Sequence, residues 1–224
     1  LATTLVSLST LAVFLIPLIA LMLAYDAVVG EQEAGTLLLL LTYPISRSAL
    51  MFGKFFGHGM ILAVATLLGF GIAGMVIALG AEGVPLIQLT VGLARLIASS
   101  VLLGWVFLAF AYLISVTVTE KARAAGLALG VWFLFVLVFD LVLLALLVGV
   151  KQGGDWLPYL MLLNPTDSFR LINLSGFDST QLESGIAAIA QQGAFHSAWP
   201  PLAMLVWVVV PLLLAVRRFH RHTA

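Results

Sequence analysis

Long runs of uncharged, apolar residues restrict what this sequence can fold into more than any other feature. A membrane-spanning helix needs about 20 mostly apolar residues, because the hydrocarbon core of a bilayer is ~30 Å thick and each helical residue rises ~1.5 Å. The uncharged runs are 1–25, 59–79, 96–119 and 199–216, and a fifth run, 124–150, is interrupted only by Asp140. The sequence therefore predicts an all-α, polytopic membrane protein with five transmembrane helices.

We predict one transmembrane domain over residues 1–224, with five spans and one long loop. The spans are expected at roughly 1–28, 50–79, 92–118, 124–149 and 199–216, with the loop at 151–198. The chain opens on an apolar segment that has neither the basic start nor the small-residue cleavage site of a signal peptide. Since an even number of spans places both ends of a chain on one side of the membrane, we expect a sixth span before Leu1 in the full protein.

The charged and sulfur-containing residues exclude several classes of function. The 10 Lys and Arg balance the 10 Asp and Glu, so no basic surface is available to bind nucleic acid through its phosphates. The absence of cysteine excludes disulfides, Cys-ligated zinc, iron–sulfur clusters and thiol catalysis. The sequence also lacks the G-x-x-x-x-G-K-[ST] loop that holds nucleotide phosphates. We therefore predict no catalytic residue, no metal site and no cofactor in this chain.

The distribution of Lys and Arg predicts how the chain is oriented, because short cytoplasmic loops are enriched in both residues. One side of the predicted topology collects seven of them: Arg47, Lys54, Lys121, Arg123, Arg217, Arg218 and Arg221. The other side has only Arg95, Lys151 and Arg170. We therefore place residues 30–54, residues 120–123 and the C-terminal tail in the cytoplasm, and residues 80–95 and 151–198 outside.

The cytoplasmic segment from Gly30 to Pro44 has the pattern of a short helix. Glu31 and Glu33 lie at its start, where the helix dipole favours acidic side chains. The apolar run that follows ends at Pro44, because the residue before a proline is pushed out of the helical conformation. We predict one helix lying in the membrane interface, where it can transmit force from a soluble partner. A plain amphipathic connector fits the same pattern.

The helix that follows this segment is predicted to begin after Ser46, which is a favourable N-cap residue. Arg47 and Lys54 are seven residues apart and are predicted to lie on one face near the lipid headgroups. His58 lies one turn deeper than Lys54, and we interpret it as a hydrogen-bonded histidine rather than a ligand. On the same helix, Gly53 and Gly57 have the small-xxx-small spacing that permits close helix packing.

Two charged residues fall in or beside the apolar spans. An ionisable group such as Asp140 costs at least ~2.5 kcal/mol within a span, so it tends to face a partner or a water-filled cavity. Asp140 therefore belongs either to a transport pathway or dimer seam, or to the outer interface, where tilt and local water reach it. Arg95, at the predicted outer end of its span, is interpreted as a snorkelling anchor.

The outer loop contains a polar segment with helical features. Asp178 and Gln181 have capping-box spacing, and Gly193 follows as a helix stop, so residues 178–192 are predicted to form a short helix. Such a segment suits either a docking surface for a periplasmic protein or a lid on the transport dimer.

Residues around the cytoplasmic segment carry a family resemblance: Glu31, Gly35, Thr36, Leu37, Leu40, Leu41, Pro44, Ser46, Arg47, Gly53 and Lys54. This pattern resembles the coupling-helix region of permease subunits in ABC-2 type exporters, the type V exporter-like fold. The resemblance implies that an ATPase subunit, which binds ATP and Mg, docks on this segment. The implied coupling residues are Glu31, Glu33, Gly35, Thr36, Leu37, Leu40, Leu41, Pro44 and Arg47.

A second segment supports the same family. Asn164, Pro165, Asp167 and Arg170 lie between the last two predicted spans and resemble the external helical segment that these permeases carry before their final helix. A narrower resemblance, in residues 25–36 and 163–176, is to permeases of transporters that serve copper-site assembly in bacterial nitrous oxide reductase. It implies a homodimer in the bacterial inner membrane, with an ATPase inside and a periplasmic protein outside.

Two other functions fit part of the sequence. An ABC-2 permease that exports a drug, an ion or a lipid would share every feature except the narrower resemblance. A membrane anchor that assembles other subunits and transports nothing could also carry a docking helix. The structured inner loop favours transport over an anchor.

Overall fold

The computed structural model describes residues 2–80, 85–149, 157–174 and 198–221, and the regular elements in these ranges are all helical. The helices are α1 Ala2–Ala24, α2 Val29–Glu33, α3 Leu37–Thr42, α4 Arg47–Gly80, α5 Leu86–Ser115, α6 Lys121–Phe133, α7 Phe139–Gly149, α8 Leu157–Met161, α9 Pro165–Leu174 and α10 Trp199–His220. A π-helical turn, Leu134–Val138, joins α6 to α7 without a break. The predicted all-α fold is confirmed.

Five segments of the described chain are long and apolar enough to cross a membrane: Thr3–Glu33, Arg47–Gly80, Leu86–Ser115, Lys121–Leu146 and Trp199–His220. The predicted number of spans is therefore confirmed. The helix bounds differ from the predicted spans: α4 and α5 begin earlier than expected, whereas α1 ends at Ala24 and α5 at Ser115, before the predicted ends at 28 and 118. Hydropathy marks only the part of a helix that suits hydrocarbon, whereas the internal backbone hydrogen bonds let the helix continue into the polar interface.

Helix α5 lies at the centre of the bundle, where α1, α4, α9 and α10 pack against it. Its C-terminal half is almost entirely buried, including Leu103, Phe107 and Tyr112. Gly104 allows α4 to approach closely, since a Cβ at this position would lie 2.3 Å from a methyl carbon of Leu62. By contrast, α4 and the α6–α7 span keep most of their apolar side chains on the surface, where lipid can cover them.

Helix α9 is part of the packed bundle, although it belongs to the loop that was placed outside. It packs against α1, α5 and α10. Its polar residues Thr166, Asp167 and Ser168 are fully buried, as is the preceding Asn164. Residues 175–197, which include the predicted helix 178–192, lie outside the described residues.

Three single-residue expectations concern faces of the spans. No described part of the chain lies within 4 Å of a Cβ built on Gly53 or Gly57, so that face of α4 is open in a single copy of the chain. Arg95 is exposed, but it lies in the third turn of α5 rather than at the helix end, because α5 begins at Leu86. Its anchoring role stays a prediction.

Candidate functional site

The segment that was predicted to be cytoplasmic contains two short helices, so the prediction of one helix from Gly30 to Pro44 is wrong. Helix α2 ends at Glu33 and α3 begins at Leu37. Between them Gly35 has φ of +70°, a left-handed conformation that glycine adopts without strain. The amide of Thr36 donates to the carbonyl of Glu31 (2.9 Å), and that of Gly35 to the carbonyl of Gln32 (3.1 Å). These paired bonds form a Schellman motif, which ends α2 and turns the chain into α3.

The start of α2 is capped by a residue from a different helix. The hydroxyl oxygen of Ser115, the last residue of α5, accepts hydrogen bonds from the amides of Val28 (2.9 Å) and Val29 (3.1 Å). The first amides of a helix have no partner within it, and serine is among the side chains that satisfy them best. Since five residues are too few for a stable isolated helix, α2 depends on this contact with α5.

Helix α2 is also bonded to α4 through Lys54. The ammonium of Lys54 forms an ion pair with Glu31 and donates to the carbonyl of Ala27 (2.8 Å). Lys54 therefore has partners within the protein, and its predicted position near the lipid headgroups stays a prediction. An acidic partner on a neighbouring helix holds Lys54 toward the protein, a contact that the spacing along α4 alone does not predict.

The third attachment of α2 is to the beginning of α6. A carboxylate oxygen of Glu33 accepts a hydrogen bond from the amide of Lys121 (2.6 Å), where the positive end of the α6 dipole favours an anion. The side chain of Lys121 forms an ion pair with Asp26 (2.5 Å) in the segment between α1 and α2. One short helix is thus bonded directly to α4, α5 and α6.

Two neighbours of α2 complete this inner polar region. Nδ1 of His58 lies 2.7 Å from the hydroxyl oxygen of Tyr112, which confirms the interpretation of His58 as a hydrogen-bonded histidine. A cavity of about 600 Å³ is lined by Asp26, Glu31, Lys54, His58 and Lys121, among others. Its two lysines and two carboxylates balance in charge.

The start of α4 is joined to the end of α10. Ser46 accepts a hydrogen bond from the amide of Ala49 (3.1 Å), as expected of an N-cap. The guanidinium of Arg47 donates to the carbonyls of Phe219 (3.2 Å) and His220 (3.4 Å) in the last turn of α10. The partial negative charge on these terminal carbonyls provides a protein partner for Arg47, and its predicted position near the lipid headgroups stays a prediction.

Helix α3 presents an apolar surface that is not covered by the described chain. Leu37 is buried, whereas Leu38, Leu39 and Tyr43 are 58%, 65% and 63% exposed. Of the predicted coupling residues, Glu33, Gly35, Thr36 and Pro44 are exposed, and Glu31, Leu40, Leu41 and Arg47 are half-buried.

The predicted coupling residues leave out several residues of this region: Asp26, Leu38, Leu39, Tyr43, Ser115 and Lys121. Five successive leucines have no periodicity that would show which of them face outward. Asp26 and Lys121 stand at opposite ends of different spans, so only the fold reveals their ion pair.

At the other end of the bundle, two separately predicted residues meet. The guanidinium of Arg170 donates to both carboxylate oxygens of Asp140 (2.7 Å each) and to Asp167 (2.9 Å), and Asp167 also accepts from Asn164 (3.1 Å). Burial raises the pKa of Asp167 to about 6, against the opposing effect of the Arg170 charge. The sequence left open whether Asp140 belongs to a transport pathway or dimer seam, or to the outer interface. In the structure Asp140 forms an ion pair with Arg170 of α9.

The donor chemistry of the described residues does not suggest a metal centre. In the described ranges, no three His, Asp or Glu side chains are grouped so that they could hold an ion.

The chain matches the family described as ABC-2 family transporter protein over residues 3–223. It therefore belongs to the ABC-2 transporter family and is a multi-pass membrane permease. It is 58% identical over 220 residues to the probable ABC transporter permease protein NosY of Stutzerimonas stutzeri, covering 97% of this chain and 80% of the relative. It is 52% identical over 221 residues to the NosY protein of Pseudomonas aeruginosa, again covering 97% and 80%. The predicted family is confirmed.

Proposed function

We propose that α2 and α3 receive the movement of a cytoplasmic ATPase subunit and pass it to the membrane spans. The observation that carries this proposal is the attachment of α2 to three spans, through Lys54 of α4, Ser115 of α5 and Lys121 of α6. A displacement of α2 either moves the inner ends of these spans or breaks the bonds. The helix pair is therefore suited to transmit force rather than only to tether a partner.

The exposed face of α3 supplies the surface for docking. Leu38, Leu39 and Tyr43 form an apolar patch on a helix that is anchored by the buried Leu37. Leucine and tyrosine side chains of this kind bind well in a groove of a partner protein, because docking removes them from water. ATP and Mg are bound by the ATPase subunit, whose nucleotide-dependent states bias two arrangements of the spans.

The similarity to two NosY permeases supports a more specific role. We propose that the chain acts as a homodimer in the bacterial inner membrane, with a NosF-like ATPase inside and a NosD-like periplasmic protein outside. The transporter would serve assembly of the copper–sulfur site in nitrous oxide reductase.

The specific role is tested on the enzyme that depends on it. Nitrous oxide reductase is purified from a host that lacks this gene and from the same host complemented with it, and its copper content and absorption spectrum are compared. Loss of the copper–sulfur site without the gene, and its return on complementation, would support the proposal. Normal maturation in both strains would point to an ABC-2 permease that exports a drug, an ion or a lipid.

Coupling through α2 is tested by the double variant Glu31→Ala with Glu33→Ala. We expect ATP hydrolysis to continue without enzyme maturation, because the bonds from α2 to Lys54 and to the start of α6 are lost. The amount of permease in the membrane should be unchanged. Glu120→Ala is a matched control, since this exposed acid pairs with Arg123 rather than with α2. Normal maturation with the double variant would contradict coupling through these residues.

A further inference from the structure

The span that α2 holds at its inner end reaches across the whole bundle. Helix α6, the π-turn and α7 continue without interruption from Lys121 to Gly149. From Lys121 to Asp140 the distance along the helix is about 28 Å, at ~1.5 Å per residue, which is close to the thickness of a bilayer's hydrocarbon core. A shift at the inner end of so continuous a helix is passed to its outer end.

The outer half of this span is attached to α9 at two points, one at Asp140 and one at Phe135 near the middle of the helix. The first is the paired hydrogen bond between Arg170 and Asp140. The second is the carbonyl of Phe135, which accepts from the side chains of Asn164 (3.0 Å) and Thr166 (3.1 Å). Phe135 lies in the π-turn, where the altered backbone hydrogen bonding makes a carbonyl available to side-chain donors. These two attachments fix both the position and the orientation of α9 relative to the α6–α7 span.

On its other side, α9 is packed into the centre of the bundle. It contacts α5 and α10, and the side-chain amide of Asn173 on α9 donates to the hydroxyl oxygen of Ser99 on α5 (2.9 Å). Helix α9 therefore lies between the α6–α7 span and the two helices that form the core.

The charges of this outer region allow the attachment to change state. Arg170 has two acidic partners, one on α7 and one on its own helix, at Asp167. If α7 moves and Asp140 separates, the guanidinium keeps Asp167 as a partner and is never left as an unpaired buried charge. Asp140 is 31% exposed and can be hydrated in that state, whereas Asp167 is fully buried.

We infer that Asp140 and Arg170 are positioning residues that transmit movement of the α6–α7 span, driven at α2, to α9 on the outer side of the permease. This inference rests on the proposed coupling through α2. The paired geometry of the guanidinium and the carboxylate fixes orientation as well as distance, which a single contact would not do. Neither residue is assigned a contact with the transported cargo.

The absence of cysteine in the chain permits a direct test with single cysteine reporters. Ala34→Cys reports from the inner cavity, and Leu163→Cys reports from an exposed position just before Asn164. Each is placed in the complete transporter in oriented membrane vesicles. The rate of labelling by a membrane-impermeant maleimide is measured without nucleotide and with ATP plus vanadate.

We expect both reporters to change with nucleotide in the parent chain. In Asp140→Leu the change at Leu163→Cys should be reduced, because only the bonds of Asn164 and Thr166 to Phe135 then link α9 to the span. The change at Ala34→Cys should be kept, because the inner contacts are intact and the Arg170–Asp167 pair remains neutral. Asp140→Glu should restore the outer change, and Arg170→Lys, which cannot form the paired contact, should weaken it. Glu120→Leu, which removes an exposed acid next to α6, is the control and should alter neither reporter.

The outcomes separate this inference from the proposed function. An outer change that is undiminished in Asp140→Leu and in Arg170→Lys, with the inner change present, overturns the link through this pair but leaves coupling at α2 standing. An outer reporter that does not respond in the parent chain, while the inner one does, has the same meaning. No response at Ala34→Cys in the parent chain overturns both.

Discussion

The inner and outer polar regions of this permease use the same types of side chain in different surroundings. At the inner region, Lys54 and Glu31 are 21% and 29% exposed, and Lys121 is 46% exposed. At the outer region, Arg170 is 16% exposed, Asp140 is 31% exposed and Asp167 is fully buried. The inner ion pairs and Asp140 are therefore partly screened by water, whereas the buried Asp167 depends on its hydrogen bonds to Arg170 and Asn164.

This difference indicates that the two sets of polar contacts have different roles when the permease changes conformation. Partly hydrated ion pairs are weak and can exchange partners, which suits a region that responds to a soluble subunit. Buried charges are costly to separate from all of their partners, which suits a region that keeps its geometry while it is moved. Substitutions in each region test this contrast.

Arg170→Leu should be the most damaging change. It leaves Asp167 buried without its cationic partner and Asp140 without its ion pair, which costs about 3–5 kcal/mol when a buried pair is broken. We expect a marked fall in the amount of folded permease and in the thermal unfolding temperature of the detergent-solubilised protein, followed by tryptophan fluorescence. Arg95→Leu, an exposed arginine on α5, provides the comparison. Equal stability of the two variants would remove the contrast between the regions.

The stability of the outer region should depend on pH through Asp167. Its pKa is raised from 3.8 to about 6 in the folded chain, so folding favours the protonated acid. The resulting stabilisation is complete below the unfolded pKa near 4 and is lost as the pH rises through about 6, at most about 3 kcal/mol in all. Asp140 and Arg170 are the charged groups that face it. Unfolding temperatures from pH 4.5 to 7.5 should fall more in the parent chain than in Asp167→Asn, and parallel curves would contradict this.

At the inner region, Ser115→Ala should loosen α2 without unfolding the bundle. Removing the hydroxyl leaves the amides of Val28 and Val29 without their acceptor, at a cost of about 1–2 kcal/mol for a lost helix cap. Hydrogen exchange in residues 28–33 should become faster, while exchange in α5 stays slow. Ser7→Ala serves as the control, because that hydroxyl bonds only within α1. Unchanged exchange in α2 would show that the cap does not hold it.

Lys54→Met should have the smallest effect on stability, about 1 kcal/mol, because the pair with Glu31 is partly exposed. Its effect on the maturation of nitrous oxide reductase, which the proposed function predicts, should be much larger, since the bond between α2 and α4 is lost. Arg123→Met breaks a more exposed ion pair that does not involve α2, and neither stability nor maturation should change. If Lys54→Met lowered stability as much as Arg170→Leu, the inner ion pair would contribute as much to the stability of the fold as the outer one.

Local patterns predicted those features that depend on neighbouring residues. The spans follow from apolar runs, the cap at Ser46 from its place before a helix, and the family from residues such as Gly35 and Pro44. The division at Gly35 was missed, because an isolated glycine is compatible with a continuing helix as well as with a helix end. Its left-handed conformation became evident only in the folded backbone.

The sequence by itself determined that this chain is a bundle of apolar helices with a polar segment between its first two spans, because lipid solubility and helix formation are properties of short stretches. The tertiary structure decided which charges meet. Lys54 and Glu31 are 23 residues apart, and Asp140 and Arg170 are 30 residues apart, on different helices. An ion pair forms where helix packing brings two side chains within a few ångströms, and no local pattern in either helix specifies that meeting.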